Sequence, residues 1–468
     1  VLAGPPSDGT PWRPAPIPEP DRVVLQGNSE AFEAADALGT AAWHARGWDG
    51  TGVKIAVFDV QWENLEQPPH SLELGEVQTH DCWAHPSCDP AMDSVRPRFS
   101  YERGAHGTAC AEVIRDLAPG VELHLVRVNA LTTFENALSW AARNDIDIIS
   151  MSLSFFNESM YDGTGAVNDA MDRLEGSDTL LVTSAGNYAQ EHWREAFLDT
   201  DGDGWHEFDG GSERLEVEYG AGTGRATLIW DDFGNCGDSD LDIYAVDGDG
   251  RVLGRAGAIQ DPDPEADDCF PIERLTLTAP RDRPVYLKIH RAGGSPNTTF
   301  DLLARGGDLV TPHPWGSITD PGTHPAAFTV GAVRATADYA RLGPESFSSW
   351  GPTGGGLAKP DIAGPDGLSS SVYGVTGFYG TSASTPAVAA AIALVMSRDP
   401  SLTPRQAARW LADHAMTERA VDDAPDPALG AGRARLPPPG AGTAGCGQRF
   451  ALAPLGLLLL PLGLRRRR

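Results

Sequence analysis

The chain has 468 residues, 41% of them hydrophobic, which is enough to bury a large core and to build more than one domain. Its formal net charge of −29 argues against nucleic-acid binding, which needs a basic surface to displace counterions. The acidity suits a soluble extracellular protein, with either a solvated acidic surface or acidic loops that calcium neutralises.

Residues 1–28 are rich in Pro and polar residues and read as a linker. The chain begins with Val1, as it would after removal of a signal peptide. From 29 to 195 the pattern predicts alternating helices and buried parallel strands. The strands are Val53–Phe58, Glu122–Val128, Ile146–Ser152 and Thr179–Ser184, and the helices are Ala31–Ala45, Thr108–Leu117, Phe134–Asn144 and Ala166–Glu175. This is the signature of an α/β fold with a doubly wound parallel sheet, whose sites lie at the carboxyl ends of strands.

Between 196 and 312 the period changes. Leu215–Tyr219, Leu241–Ala245, Leu275–Thr278 and Val285–Ile289 alternate apolar and polar residues between Gly, Pro and Asp turns. That pattern predicts an inserted antiparallel β-sandwich. The α/β pattern resumes over 313–420 with Ala327–Val333, the apolar helix that Ser382 opens, and a helix over Pro404–His414. Residues 421–445 form a second linker and 446–468 a tail. In the tail the apolar run Phe450–Leu464, short for a membrane span, is followed by Arg465 to Arg468.

Cysteines add a compartment. Cys82 with Cys88, and Cys236 with Cys269, form local pairs that point to disulfides and an oxidising environment. For the first pair a zinc site with His80 and His85 stands as an alternative, though its spacing matches no standard ligand set.

Four motifs carry the chemistry, in one order. Asp59 ends the first strand; His106-Gly-Thr108 opens a helix; Ser184-Ala-Gly-Asn187 ends a strand; Gly380-Thr-Ser-Ala-Ser-Thr-Pro386 opens the apolar helix. In these residues the chain resembles the subtilisin-like serine peptidases, over about 30–195 and 313–416, and Asp, His, Ser is the order of that family's triad. The resemblance implies a serine endopeptidase with protein or peptide substrates, acting as a monomer and needing no cofactor for catalysis. Ser382 would be the nucleophile, His106 its base, and Asp59 the group that holds the imidazole. The Asn187 amide and the Ser382 N–H would receive the oxyanion. Ser382-Ala-Ser384 also resembles the nucleophile motif of the sedolisins, but those lack the His and carry Asp where Asn187 stands.

By the same resemblance, Ser152, Leu153 and Ser154 pair with an extended substrate, and Ser184, Ala185 and Gly186 line the other wall of its main pocket. Cys110 resembles the free cysteine of proteinase K-like members and reads as a buried, inert thiol. The family follows its catalytic Asp with Thr or Ser and then Gly, whereas Val60-Gln61 stand here. That departure, with the large insert, motivates a second reading: an inactive peptidase-fold adhesin or binding protein.

Asp199-Thr-Asp201-Gly-Asp203-Gly204 has the spacing of a calcium loop, with Asp199, Asp201 and Asp203 as ligands, and a solvated acidic turn is the competing reading. The insert resembles the bacterial pre-peptidase C-terminal domain. The tail, with Cys446 before its apolar run, resembles the MYXO-CTERM sorting tails. It implies membrane attachment until processing and a place outside, or at the surface of, a Gram-negative bacterium.

Overall fold

The computed structural model describes residues 31–440 apart from 90, 93–102, 157–158, 221, 234–238, 259–269, 280–283, 296 and 418–424. The N-terminal linker, the Cys236–Cys269 pair and the sorting tail lie outside the described residues. Among the described residues no helix is long and apolar enough to cross a membrane.

Seven strands form the main sheet, in the order Ile362–Asp366, Phe328–Arg334, Leu180–Ser184, Ile148–Met151, Lys54–Asp59, Glu122–Arg127, Gln78–Asp81. Every pairing is parallel. The inner strands come from the apolar runs because a parallel sheet covered on both faces leaves no side for polar residues. Lys54–Asp59 shows this: Ile55 and Val57 enter one core, while Ala56 and Phe58 enter the other. The first core holds the helices His106–Leu117 and Thr381–Arg398; the second holds the helix Leu131–Arg143. Both are built on the sheet expected from the sequence.

Two edge strands escape the apolar-run pattern. Gln78–Asp81 is polar and half-exposed, and Ile362–Asp366 contains Gly364 and Pro365. Proline is tolerated at an edge, where no further ladder bond is needed. Ala166–Glu175, expected as one helix, is α-helical over Ala166–Ala170 and tightens to a 3-10 turn over Met171–Leu174.

The second structural unit consists of a five-stranded and a four-stranded antiparallel sheet around one core, with Trp193, Leu228 and Trp230 from one sheet and Val217, Ile243, Leu287 and Ile289 from the other. It begins with the strand His192–Ala196, which pairs antiparallel with Thr299–Leu303, so the antiparallel pattern starts just before residue 196. A separate apolar cluster ties it to the main domain. There Phe156, Met160 and Tyr161 meet Ile229 and Leu303.

Candidate active site

The strand register sets the site. Asp59 is the last residue of its strand, level with Arg127 on the neighbour, and Ser152 and Ser184 end or follow the next strands on the other side. Strand order reverses about Lys54–Asp59, so its carboxyl end lies at the topological switch point, where open α/β sheets bind ligands.

Asp59 is fully buried, and its carboxylate is completely committed. Oδ1 accepts from the backbone N–H of Val60 at 2.8 Å and of Gln61 at 3.0 Å. Oδ2 accepts from His106 Nδ1 at 2.6 Å. Val60 and Gln61 thus serve through main-chain groups that any residue other than proline supplies. Gly107 lets the helix approach, since a Cβ there would lie 2.6 Å from the Asp59 Cβ. With Nδ1 donating to Asp59, the other ring nitrogen of His106 carries a free lone pair, the state a general base needs. The ring is held edge-on against Phe378, with centroids 5.8 Å apart.

Ser382 is the second residue of the helix Thr381–Arg398 and is half-buried, while Ala383 through Met396 are all buried. A helix sunk this deeply cannot tilt without opening a cavity, and each lost large aliphatic side chain would cost about 2–5 kcal/mol. Pro386 lies inside its first turns. Proline has no N–H, so the carbonyl of Ser382 lacks the usual partner four residues on. Two side chains fill the gap: Ser152 Oγ donates at 3.0 Å and the Cys110 thiol approaches at 3.7 Å. Burial, and secondarily the charge of Asp59, push the Cys110 thiol well above its ordinary pKa, so it stays protonated and able to donate. The Cys110 sulfur also lies within 4.8 Å of the Asp59 and His106 ligand atoms, so with its contact to Ser382 it joins three of the four motifs.

Asn187 completes the arrangement. Its Oδ1 accepts from Thr381 N at 2.9 Å and from Thr381 Oγ1 at 3.0 Å, which turns Nδ2 away from Thr381. A Cβ at Gly380 would lie 2.9 Å from Asn187 Nδ2 and 3.5 Å from Ser382 N. Both nitrogens thus border the space where a Gly380 side chain would start, and Gly380 has φ +112°, which other residues rarely adopt. Paired donors of this kind stabilise a tetrahedral oxyanion. Thr381 sets the amide's direction, a role invisible in the motif until its partner is known.

Ser152, Leu153, Ser154, Ser184, Ala185 and Gly186 flank this point. Ser152 is joined to it through the Ser382 carbonyl and Gly186 through its N–H on Thr381 Oγ1 at 3.3 Å. Elsewhere, Cys82 and Cys88 are disulfide-bonded with Cα atoms 4.0 Å apart, so the zinc alternative has lost its thiolates. His85 pairs with Ser87, and His80 faces the Cys88 carbonyl and His124. Burial, then the neighbouring His124, bring the His80 ring down to about 4.

Asp199, Asp201 and Asp203 each place a carboxylate oxygen within 4.8 Å of the others. Asp199 is the innermost: it accepts from Gly202 N at 2.8 Å and Gly204 N at 3.1 Å, with Arg291 at 3.2 Å. The donors are all oxygen, the chemistry a hard divalent cation takes, although Arg291 already offsets one charge.

A family model described as the subtilase family matches residues 50–225 and 307–432. A curated relative, a thermostable alkaline protease of Halalkalibacterium halodurans, is 25% identical over 169 residues, covering 33% of this chain and 41% of that protein. The chain thus matches less than half the length of that relative. The solved structure of the Clostridium perfringens CspB protease is similar in fold, with a TM-score of 0.58 at 14% identity, covering 86% of this chain and 97% of that one.

Proposed function

This chain belongs to the subtilase family, and from that premise we propose that it is a serine endopeptidase acting outside the cell or at its surface on protein or peptide substrates. The observation that carries the proposal is the 2.6 Å bond from His106 Nδ1 to a fully buried Asp59, directly beside the helix that Ser382 opens. In this reading His106 takes the Ser382 proton through Nε2 as the hydroxyl attacks the scissile carbonyl, and Asp59 stabilises the imidazolium. The carbonyl oxygen, now negative, is received by Asn187 Nδ2 and Ser382 N. His106 returns the proton to the leaving amine. Water, deprotonated by the same ring, then cleaves the acyl ester and regenerates the serine.

The adhesin alternative drew on Val60-Gln61, and that ground is weak once their backbone amides are seen to hold Asp59. Extracellular placement is supported by the acidic composition and the Cys82–Cys88 disulfide. We further propose that the antiparallel unit is a pre-peptidase C-terminal-like docking or stabilising domain. The 446–468 tail would anchor the protein to a Gram-negative surface until processing, and Asp199, Asp201 and Asp203 would hold a structural Ca²⁺. A fluorophosphonate probe tests the central claim: it is expected to label the full chain and not Ser382→Ala. A folded wild type that stays unlabelled would sink the enzyme reading.

A further inference from the structure

The donors at Asn187 Nδ2 and Ser382 N fix where a substrate carbonyl oxygen goes. On the peptidase reading, the side chain of the residue bearing that carbonyl leaves on the side bounded by 152–154 and 184–186, the segments that the family resemblance assigns as pocket walls. Those two segments bracket the nucleophile through the Ser152–Ser382 and Gly186–Thr381 hydrogen bonds. A recess that admits a large side chain needs walls with accessible surface. Here Ser152, Leu153, Ser154, Ser184, Ala185 and Gly186 are all buried, none more than 8% exposed among those with a side chain.

Tyr188, half-buried, packs against the second of these segments. Its ring lies on Gly186, where a Cβ would meet Cδ2 and Cε2 at 2.7 Å, and its N–H is fixed by Ser349 Oγ at 3.1 Å. Burial raises the pKa of its phenol, and Ser154 of the opposite wall is among the side chains close enough to influence that group. The ring is braced from behind. Phe156 meets it edge-on with centroids 5.1 Å apart, and Arg305 of the antiparallel unit lies 4.3 Å from the Phe156 ring centre. Ile229 and Leu303, from that unit's strands, complete the same apolar cluster. Tyr188 is one of the partly buried residues packed against this cluster.

We propose that Tyr188, braced by Phe156 and the antiparallel unit, fills the recess for the side chain on the acyl side of the scissile bond, so that cleavage follows Gly, Ala or Ser and not large aromatic residues. The antiparallel unit thereby sets substrate choice, through the back of the pocket rather than by docking alone. This rests on the peptidase reading above.

The test uses the full chain, a proteome-derived peptide library read by mass spectrometry, and the succinyl-Ala-Ala-Pro-X-p-nitroanilides with X Ala or Phe. Wild type is expected to cut after small residues and to favour Ala over Phe in kcat/KM by about tenfold or more, the discrimination that pocket size commonly gives. Tyr188→Ala is expected to lower that ratio about tenfold by opening the recess to Phe. Ser154→Gly, a milder change, is expected to move it the same way. A wild type that prefers Phe, or a folded Tyr188→Ala with an unchanged ratio, overturns the proposal. So does a protein that the fluorophosphonate labels but that cuts no peptide. Loss of labelling in wild type strikes the peptidase reading instead. If Tyr188→Ala does not fold, the wild-type profile and Ser154→Gly still decide.

Discussion

The carbonyl oxygen of Ser382 accepts from the Ser152 hydroxyl at 3.0 Å, and it is open to that bond because Pro386, four residues on, has no N–H to give it. Ser152 is therefore part of what holds Ser382, the proposed nucleophile, in place. Ser152→Ala leaves the carbonyl only the weak Cys110 thiol. Its kcat is expected to fall about tenfold, the worth of roughly one hydrogen bond, with KM much less affected. Ser152→Thr, which keeps the hydroxyl, should restore most of the rate. Steady-state kinetics on a peptide substrate check this, and an unchanged kcat in Ser152→Ala would dismiss the role.

Asp59 offers a sharper contrast. Asp59→Asn keeps the shape but lets the amide favour the wrong tautomer of His106, and kcat is expected to drop by about 10⁴. Val60→Thr, which restores the residue type common in the family, is expected to change kcat/KM less than about twofold, within the range of a substitution that breaks no named interaction. A large gain in Val60→Thr would mean that the side chain, not the backbone amide, limits the site.

The buried histidines give the protein an acid-sensitive stability. Desolvation, aided by His124, brings His80 from its ordinary value near 6.5 to about 4, and desolvation does the same to His206. In both cases the folded state binds fewer protons than the unfolded one below about pH 6.5. Their contribution is present above 6.5 and is lost as pH falls through 4. Urea denaturation at pH 7, 5.5 and 4 should show stability falling across that window, and falling less steeply in the double variant His80→Gln, His206→Gln. Equal slopes would exclude these two rings as the cause.

Calcium is expected to raise the melting temperature of the full chain by several degrees, in the way any ligand of the folded state does by mass action; about 2.7 kcal/mol is gained at a hundredfold excess over Kd. The shift should vanish in Asp201→Ala and Asp203→Ala. Melts that are identical with calcium and with chelator would leave the loop as a solvated acidic turn.

Much of this site is legible in the chain itself. Asp59, His106, Asn187 and Ser382 each close or open a predicted element, because strand ends and helix starts are where backbone geometry presents side chains to one edge of a sheet. The apolar runs name the inner strands because burial on both faces forbids polar residues there. The edge strands Gln78–Asp81 and Ile362–Asp366 carry no such signal, since one side of each needs no neighbour.

The sequence by itself determined the order of the elements, the candidates for the reacting groups and the change of period at the antiparallel unit. All of these are written in local patterning that the backbone must obey. Only the tertiary structure decided how the groups are held. It showed that backbone amides rather than a family side chain grip Asp59, that Thr381 aims the Asn187 amide, and that Ser152 answers the carbonyl Pro386 leaves free. It also placed the Tyr188 ring between Gly186 and Phe156. The Ser152 and Asn187 contacts, and the clusters around Tyr188, join residues far apart along the chain. Which polar group satisfies which is settled by packing in three dimensions, where an unpaired buried group costs about 1–3 kcal/mol and neighbours in sequence have no special claim.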